Sequence, residues 1–371
     1  MIDFAIEEDV DCVLFAGDAF NKHNPDPTYL REFGSRIIRL SDHCPIVLLT
    51  GNHDVPGSVE KASSITLFDT LRVPNVVVGM NYEMLEIDTA HGILQVATVP
   101  YPFKNTILSY KEMHGKSRDK IEELFKKKFN AIIRNLGSQI NESYPAILLA
   151  HLSVDTAIFG SERITEVGAS AQVSLETLIS DPWDYVALGH IHLFQNLTKD
   201  VEGEIPVVYS GSMERVNFGE EHDDKGFILI NIGKETTYEF IQTDARPYVT
   251  IEADVSEKHN PTEYILNKIS KTDIKSAVVR LVIHADVSKQ GHIRQEAIAQ
   301  AILDAGAYCI HSIVIKPIDR AYTARLGNVN ISSIPKQDLL KSYFTSLSIK
   351  KSEIDELMAM AEDIMTEVEN G

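Results

Sequence analysis

Apolar residues in the first two thirds of the chain gather in short runs, each closed by a turn signal. Val10 to Ala16 is one such run, stopped by Gly17-Asp18, and Pro45 to Thr50 is another, stopped by Gly51-Asn52-His53-Asp54. Runs this short and apolar at nearly every position predict strands buried on both faces. Shorter strands are expected at Val76–Val78, Met84–Ile87 and Ile93–Ala97. Two more strand-then-turn units follow: Ala146 to Ala150 leads into His151, and Tyr185 to Leu188 leads into Gly189-His190-Ile191-His192. Val207–Tyr209 and Gly226–Ile232 alternate as antiparallel strands do. Helical spacing appears over Tyr29–Leu40 and over 117–137, where Ile121, Leu124, Phe125, Phe129, Ile132, Ile133 and Leu136 fall on one face. Strands alternating with helices make residues 1–245 an α/β domain.

The rhythm changes after residue 245. A strand at Tyr248–Ala253, a helix at Pro261–Ile269, a strand at Ala277–Ile283, a helix at Arg294–Ala305 and a strand at Ile310–Ile318 form a β-α-β-α-β unit. Residues 246–320 are therefore expected to be a small separate domain. Residues 321–334 lack periodicity and read as a linker. Residues 335–371 carry two amphipathic helices. One bears Leu339, Leu340, Tyr343, Phe344 and Leu347. The other opens with Ser352 and Asp355 and bears Ile354, Leu357, Met358, Ala361, Ile364, Met365 and Val368. Helices beyond a linker have little of their own chain to cover such a stripe, so partner binding is expected ahead of folding back.

Composition adds limits to this picture. At 371 residues, two or three domains are expected, and 44% hydrophobic with 24% charged is globular composition. No apolar run reaches the ~18 residues of a membrane span, and no signal peptide is expected. Cys12, Cys44 and Cys309 are too few and scattered for a disulfide framework or a thiolate zinc site, so a cytoplasmic protein is expected. The net charge of −19 argues against a nucleic-acid partner held by cations alone. The acid is uneven: residues 1–245 hold 20 Lys and Arg against 37 Asp and Glu, whereas residues 246–320 hold 10 against 9. Lys126, Lys127 and Lys128 could be a DNA patch, but a solvated helix face is the better reading. An acidic domain can still act on a polyanion when its acids and histidines hold metal cations.

Such ligands exist. Asp18, then Asn52-His53-Asp54, then His151, then His190 and His192 all follow buried strands, at the carboxyl ends where open α/β sheets place their ligands. Each feature alone is ordinary, since Gly-Asp is usually a turn and a lone histidine usually a surface residue. Four together are hard to produce by chance. Mixed carboxylate, imidazole and amide donors suit manganese, iron or zinc better than calcium or magnesium. A carboxylate can bridge two metals, which makes Asp18 the candidate bridge. Paired metals serve displacement at phosphorus, and His53 suits proton supply near a leaving oxygen.

Through Gly17-Asp18, Gly51-Asn52-His53-Asp54, His151 and Gly189-His190-Ile191-His192 the chain resembles the calcineurin-like metallophosphoesterases. More specifically it looks like their SbcD-type nuclease subunits. That likeness is carried by Ala150-His151-Leu152-Ser153-Val154, Tyr185 to His192, Tyr209-Ser210-Gly211-Ser212, Asn217-Phe218-Gly219-Glu220 and Lys225-Gly226-Phe227, and runs through roughly residues 5–320. The resemblance implies a two-sheet α/β sandwich flanked by helices, a small α/β capping domain at 246–320 that seats DNA, and a helical tail at 335–371 that docks on an SbcC-type coiled-coil ATPase. It implies two divalent ions, manganese before magnesium, iron or zinc. Asp18 would bridge them, Asn52, His151 and His190 would complete one site, and His192 would belong to the other. His53 would assist the leaving group and Asp54 would orient His53. The implied activity is 3′-to-5′ exonuclease and single-strand endonuclease action on DNA ends in double-strand-break repair, by a homodimer.

Two departures from the family pattern stand out. The family opens with a strand ending in Asp-x-His, and no Asp-x-His occurs in this chain, so one metal site is expected to be weak or empty. Asn21 stands where the family has an acid or a histidine. Two other readings therefore stay open: a small-molecule two-metal phosphodiesterase, and a non-catalytic adaptor with an unfilled metal site.

Overall fold

A computed structural model of the protein describes residues 1–55, 63–160, 172–180, 182–201 and 203–317, with scattered helical positions between 340 and 361. The described residues fall into two units, Met1–Tyr248 and Val249 onward.

In the first unit β1 (Val13–Phe15), β2 (Ile46–Leu49) and β3 (Val76–Gly79) form a parallel sheet in that order. The chain continues through β4 (Glu83–Thr89), β5 (Gly92–Val99) and β6 (Ala146–His151), then the short parallel pair β7 (Ser153–Val154) and β8 (Gln172–Val173). β9 (Tyr185–Gly189), β10 (Gln195–Asn196) and β11 (Val207–Tyr209) follow. A six-stranded sheet has the order β10-β11-β9-β6-β5-β4, parallel in its middle and antiparallel at its two edges. β12 (Gly226–Ile232) and β13 (Thr236–Gln242) form a hairpin.

Alternation along single strands builds the layers. In β2, Val47 and Leu49 enter the core shared with the six-stranded sheet, whereas Ile46 and Leu48 face the helix Pro27–Ser41 side. In β6, Ile147 and Leu149 meet Val47 and Leu49, and Ala146, Leu148 and Ala150 turn to the opposite face. There they join Phe125, Phe129, Ile133 and Leu136 of the helix Arg118–Gly137, each 0–1% exposed. Burying each such side chain contributes roughly 1.5–3 kcal/mol over leaving it exposed. The result is the expected α/β sandwich: two sheets face to face with helices outside both. It explains why these strands read as continuous apolar runs, since neither face meets water.

Local signals set the element ends. Asp26 accepts a hydrogen bond from the Thr28 N–H at 2.8 Å and Pro27 opens the helix, a standard start. The strand expected from Val10 to Ala16 is shortened to Val13–Phe15, because the Val10 N–H is bonded to the Ala5 carbonyl at the end of the helix Ile2–Glu7. Lys126 and Lys127 are exposed, while Lys128 is drawn to Glu112 at 2.8 Å and to the Ile107 carbonyl. That favours the solvated face over a free cationic patch.

The second unit has a sheet of β14 (Tyr248–Asp254), β15 (Val278–Ala285) and β16 (Cys309–Pro317), with β15 and β16 parallel. Ile251, Ala253, Leu281 and Ile283 pack on Ile265, Ile269, Ile298 and Ile302 of the helices Pro261–Ile269 and Gln295–Asp304. The linker expected at 321–334 and most of the tail expected at 335–371 lie outside the described residues. Leu340, Phe344, Ile354, Leu357 and Met358 are helical positions. Among the described residues no helix is long and apolar enough to cross a membrane.

Candidate metal centre

Four loops meet at the carboxyl ends of β1, β2, β6 and β9, and two glycines let them meet closely. A Cβ on Gly51 would fall on the Asp18 carboxylate, and one on Gly189 would fall on the Ala16 carbonyl. Any side chain at either position would push one loop off another. Two ligand residues themselves sit in the left-handed region, Asp18 at φ 56° and His190 at φ 94°. Such backbone costs about 1–3 kcal/mol per residue and persists only where the surroundings enforce it.

Asp18, His151 and His190 come together, with one ligand atom of each within 4.8 Å of the others. Asn52 sits among them. Its Oδ1 lies 3.0 Å from His151 Nε2 and 2.9 Å from His190 Nδ1. His151 Nε2 is also 3.1 Å from Asp18 Oδ2. Thus Asp18, Asn52, His151 and His190, read from four separate sequence segments, share one point.

The arrangement fits a cation. His151 Nδ1 is 2.6 Å from the Ala16 carbonyl oxygen, which can only accept, so Nδ1 carries the hydrogen. Nε2 of the neutral ring is then a lone pair, and it faces two other acceptors, Asn52 Oδ1 and Asp18 Oδ2. Three lone pairs aimed at one another repel unless a positive charge stands between them, a proton on His151 or a metal ion. One carboxylate, two imidazoles and an amide oxygen are a donor set for manganese, iron or zinc.

Charge follows the same geometry. Burial acts to raise the Asp18 pKa, but His151 and the His53 N–H outweigh it and bring Asp18 down to about 2. Burial acts to lower His151, and the Asp18 carboxylate raises it above its ordinary value. Asp54 is 1% exposed, and burial pushes its carboxyl up to about 6.

Asp54 and His53 have different placements. The Asp54 Oδ2 accepts the backbone N–H groups of Asp18 at 2.7 Å and Gly51 at 2.9 Å. It clamps two ligand loops together rather than meeting the His53 ring, and its Oδ1 is buried with no hydrogen-bond partner among the described residues. His53 gives its backbone N–H to Asp18 Oδ1 at 2.8 Å and exposes its ring. His53 is therefore free to reach outward from the ligand cluster, which suits contact with a bound molecule.

His192 stands outside the cluster of Asp18, His151 and His190. Its Nδ1 is 2.9 Å from Glu220 Oε1, and Glu220 in turn pairs with Lys225 Nζ at 2.9 Å. Glu220 is 0% and Lys225 1% exposed. Lys225 also donates to the His192 carbonyl at 3.0 Å, and the Val216 N–H donates to Glu220 Oε2 at 3.0 Å. Burial acts to raise Glu220, but His192, Lys225 and Val216 bring it down to about 2. This buried carboxylate orients the His192 ring, as second partners of metal-binding histidines do.

A profile of the calcineurin-like phosphoesterases matches residues 1–194, just over half of the chain. The chain belongs to the calcineurin-like phosphoesterase family. The match takes in all four cluster residues, so Asp18, Asn52, His151 and His190 form the candidate divalent-metal site of a calcineurin-like phosphoesterase. The chain is also similar to the SbcD component of the SbcCD nuclease of Bacillus subtilis (strain 168), 28% identical over 252 residues. That alignment covers 66% of this chain and 62% of the relative, so the chain spans less than two thirds of the relative's length.

The structure adds residues that have no place among the ligands named from the sequence. Glu220 and Lys225 lie within motifs that carry the resemblance, yet an acid and a lysine five residues apart give no sign of being buried together. Tyr101, whose ring centroid is 5.3 Å from that of His190, has no signal beyond its flanking prolines.

Proposed function

We propose that the chain is a metal-dependent DNA nuclease subunit. The observation that carries this reading is the convergence of Asp18, Asn52, His151 and His190 on one point, with an exposed His53 beside it. A divalent ion, manganese by preference, supplies Lewis acidity toward a phosphoryl oxygen and an activated water when bound. Asp18, Asn52, His151 and His190 would hold it. His192, oriented by Glu220, would serve a second ion with Asp18 as the shared carboxylate. His53 would hand a proton to the leaving oxygen, and Asp54 would fix the loops that present Asp18 and Asn52. Similarity to the SbcD component of the SbcCD nuclease supports nuclease action. On this reading the substrate is DNA, cleaved as 3′-to-5′ exonuclease and single-strand endonuclease in double-strand-break repair. On this reading the protein works in the cytoplasm as a homodimer, with 246–320 seating DNA and 335–371 docking on an SbcC-type coiled-coil ATPase.

The test uses the full chain stripped of metal by a chelator. Manganese should restore cleavage of single-stranded DNA. His53→Ala should keep the metal content and lower turnover by about a hundredfold or more, the range for a lost general acid. Cleavage of small phosphodiesters with no action on DNA would move the substrate class to small molecules. Loss of metal in His53→Ala would make His53 a ligand instead.

Deleting 335–371 should abolish co-purification with a coiled-coil ATPase and leave the melting of the remainder unchanged. A large fall in melting temperature would mean that the tail completes the core of this chain.

A further inference from the structure

Beside the ligand cluster lies an aromatic feature that metal binding does not require. After β5 the chain runs Val99-Pro100-Tyr101-Pro102-Phe103. Each proline fixes its own φ and keeps the residue before it extended, so Tyr101 is held between two rigid joints. Pro100 and Pro102 are buried, while Tyr101 and Phe103 are partly exposed. The Tyr101 N–H donates to the Thr50 carbonyl at 3.4 Å, tying this segment to the strand that leads into Asn52 and His53.

The Tyr101 ring lies 5.3 Å from the His190 ring and 6.2 Å from the His151 ring, centroid to centroid. Phe103 meets it edge-on at 4.7 Å and supports it. These are ordinary aromatic contact distances. The ledge is therefore rigid, partly open, and adjacent to two ligands of the site that would bind a phosphate.

We propose that Tyr101 is a substrate-binding residue that stacks on the nucleobase next to the phosphate being cleaved. The inference rests on the nuclease reading and deepens it. A nucleotide carries its base one sugar away from its phosphate, so a ring beside the phosphate site is where a base arrives. Charge makes the ledge more necessary here. Residues 1–245 have an excess of acids, which leaves few cations to hold a DNA backbone. Stacking needs no charge, and it tolerates every base because each has a flat face. A strand would be held at its cleaved end by Tyr101 and the metal ligands together.

The test compares the full chain with Tyr101→Ala and Tyr101→Phe, loaded with calcium so that the probes are bound without being cleaved. The probes are two single-stranded oligonucleotides, one carrying 2-aminopurine at its 3′ end and one abasic there. The wild-type chain and Tyr101→Phe should quench the 2-aminopurine and bind that strand about tenfold more tightly than the abasic one. Tyr101→Ala should lose both the quenching and the preference, with affinity for the abasic strand and for the metal unchanged. An equal loss on both strands, or weakened metal binding, would show that Tyr101 only packs against His190 and would overturn the proposal. Quenching that survives in Tyr101→Ala would overturn it too, with the nuclease reading intact. Binding of neither strand by the wild-type chain would sink the nuclease reading and this inference with it.

Discussion

Asp18→Asn should cost the protein its metal and its hydrolytic activity while leaving the fold intact. The amide keeps the shape and an oxygen for the His53 N–H, which now bonds to Asp18 Oδ1 at 2.8 Å. It removes the one negative charge in a cluster otherwise made of two imidazoles and an amide oxygen. Losing a partner of a metal ligand already costs about 10–100-fold in affinity, so losing the anionic ligand itself should exceed about a hundredfold. Turnover should fall by on the order of a thousandfold or more, the equivalent of several kcal/mol of lost charge stabilisation. Calorimetric metal titration and a phosphodiesterase assay read the two losses, and a thermal melt without metal reads the fold. Normal metal affinity in Asp18→Asn would remove Asp18 from the ligand set.

Glu220→Ala should destabilise the fold strongly from outside the ligand cluster. It removes the nearer carboxylate, at 2.9 Å, from Lys225, which is 1% exposed, and leaves Asp223 at 3.5 Å as the remaining one. Stranding one member of a buried pair costs about 3–5 kcal/mol, and the Asp223 carboxylate that remains puts this change at the lower end of that range. For a unit of this size that is a fall of roughly 10 °C in melting temperature. The double change Glu220→Gln with Lys225→Met should recover much of the loss, because no unpaired charge is then left inside. Urea denaturation of the single and double variants measures both values. A near-neutral Glu220→Ala would mean that Asp223 or water takes the place of Glu220 at Lys225.

Much of this architecture was legible in the residue pattern. The runs Pro45–Thr50, Ala146–Ala150 and Tyr185–Leu188 read as buried strands because they are apolar at nearly every position, and the sandwich buries both of their faces. The helix expected over 117–137 is found at Arg118–Gly137. The ends of elements were less legible. Val10 belongs to the turn after the first helix, since a backbone hydrogen bond decides it and not its side chain. The hairpin strand β13 had no counterpart among the expected strands, because about half of its positions are polar and its partner β12 supplies the order.

The candidate site divides in the same way. That Asp18, Asn52, His151 and His190 are ligand types at strand ends is a property of the sequence, since turn chemistry and donor chemistry are both local. Their distances are not local. They follow from parallel pairing of β1 with β2 and of β6 with β9, and from Gly51 and Gly189, whose bare backbones let neighbouring loops touch. The sequence likewise contains Glu220, Lys225, Asp54 and Tyr101, but only the tertiary structure turns them into a buried ion pair beside His192, a clamp between two loops and a ring against His190. Residue type sets what a side chain can do, and burial and neighbours brought from far along the chain set what it does.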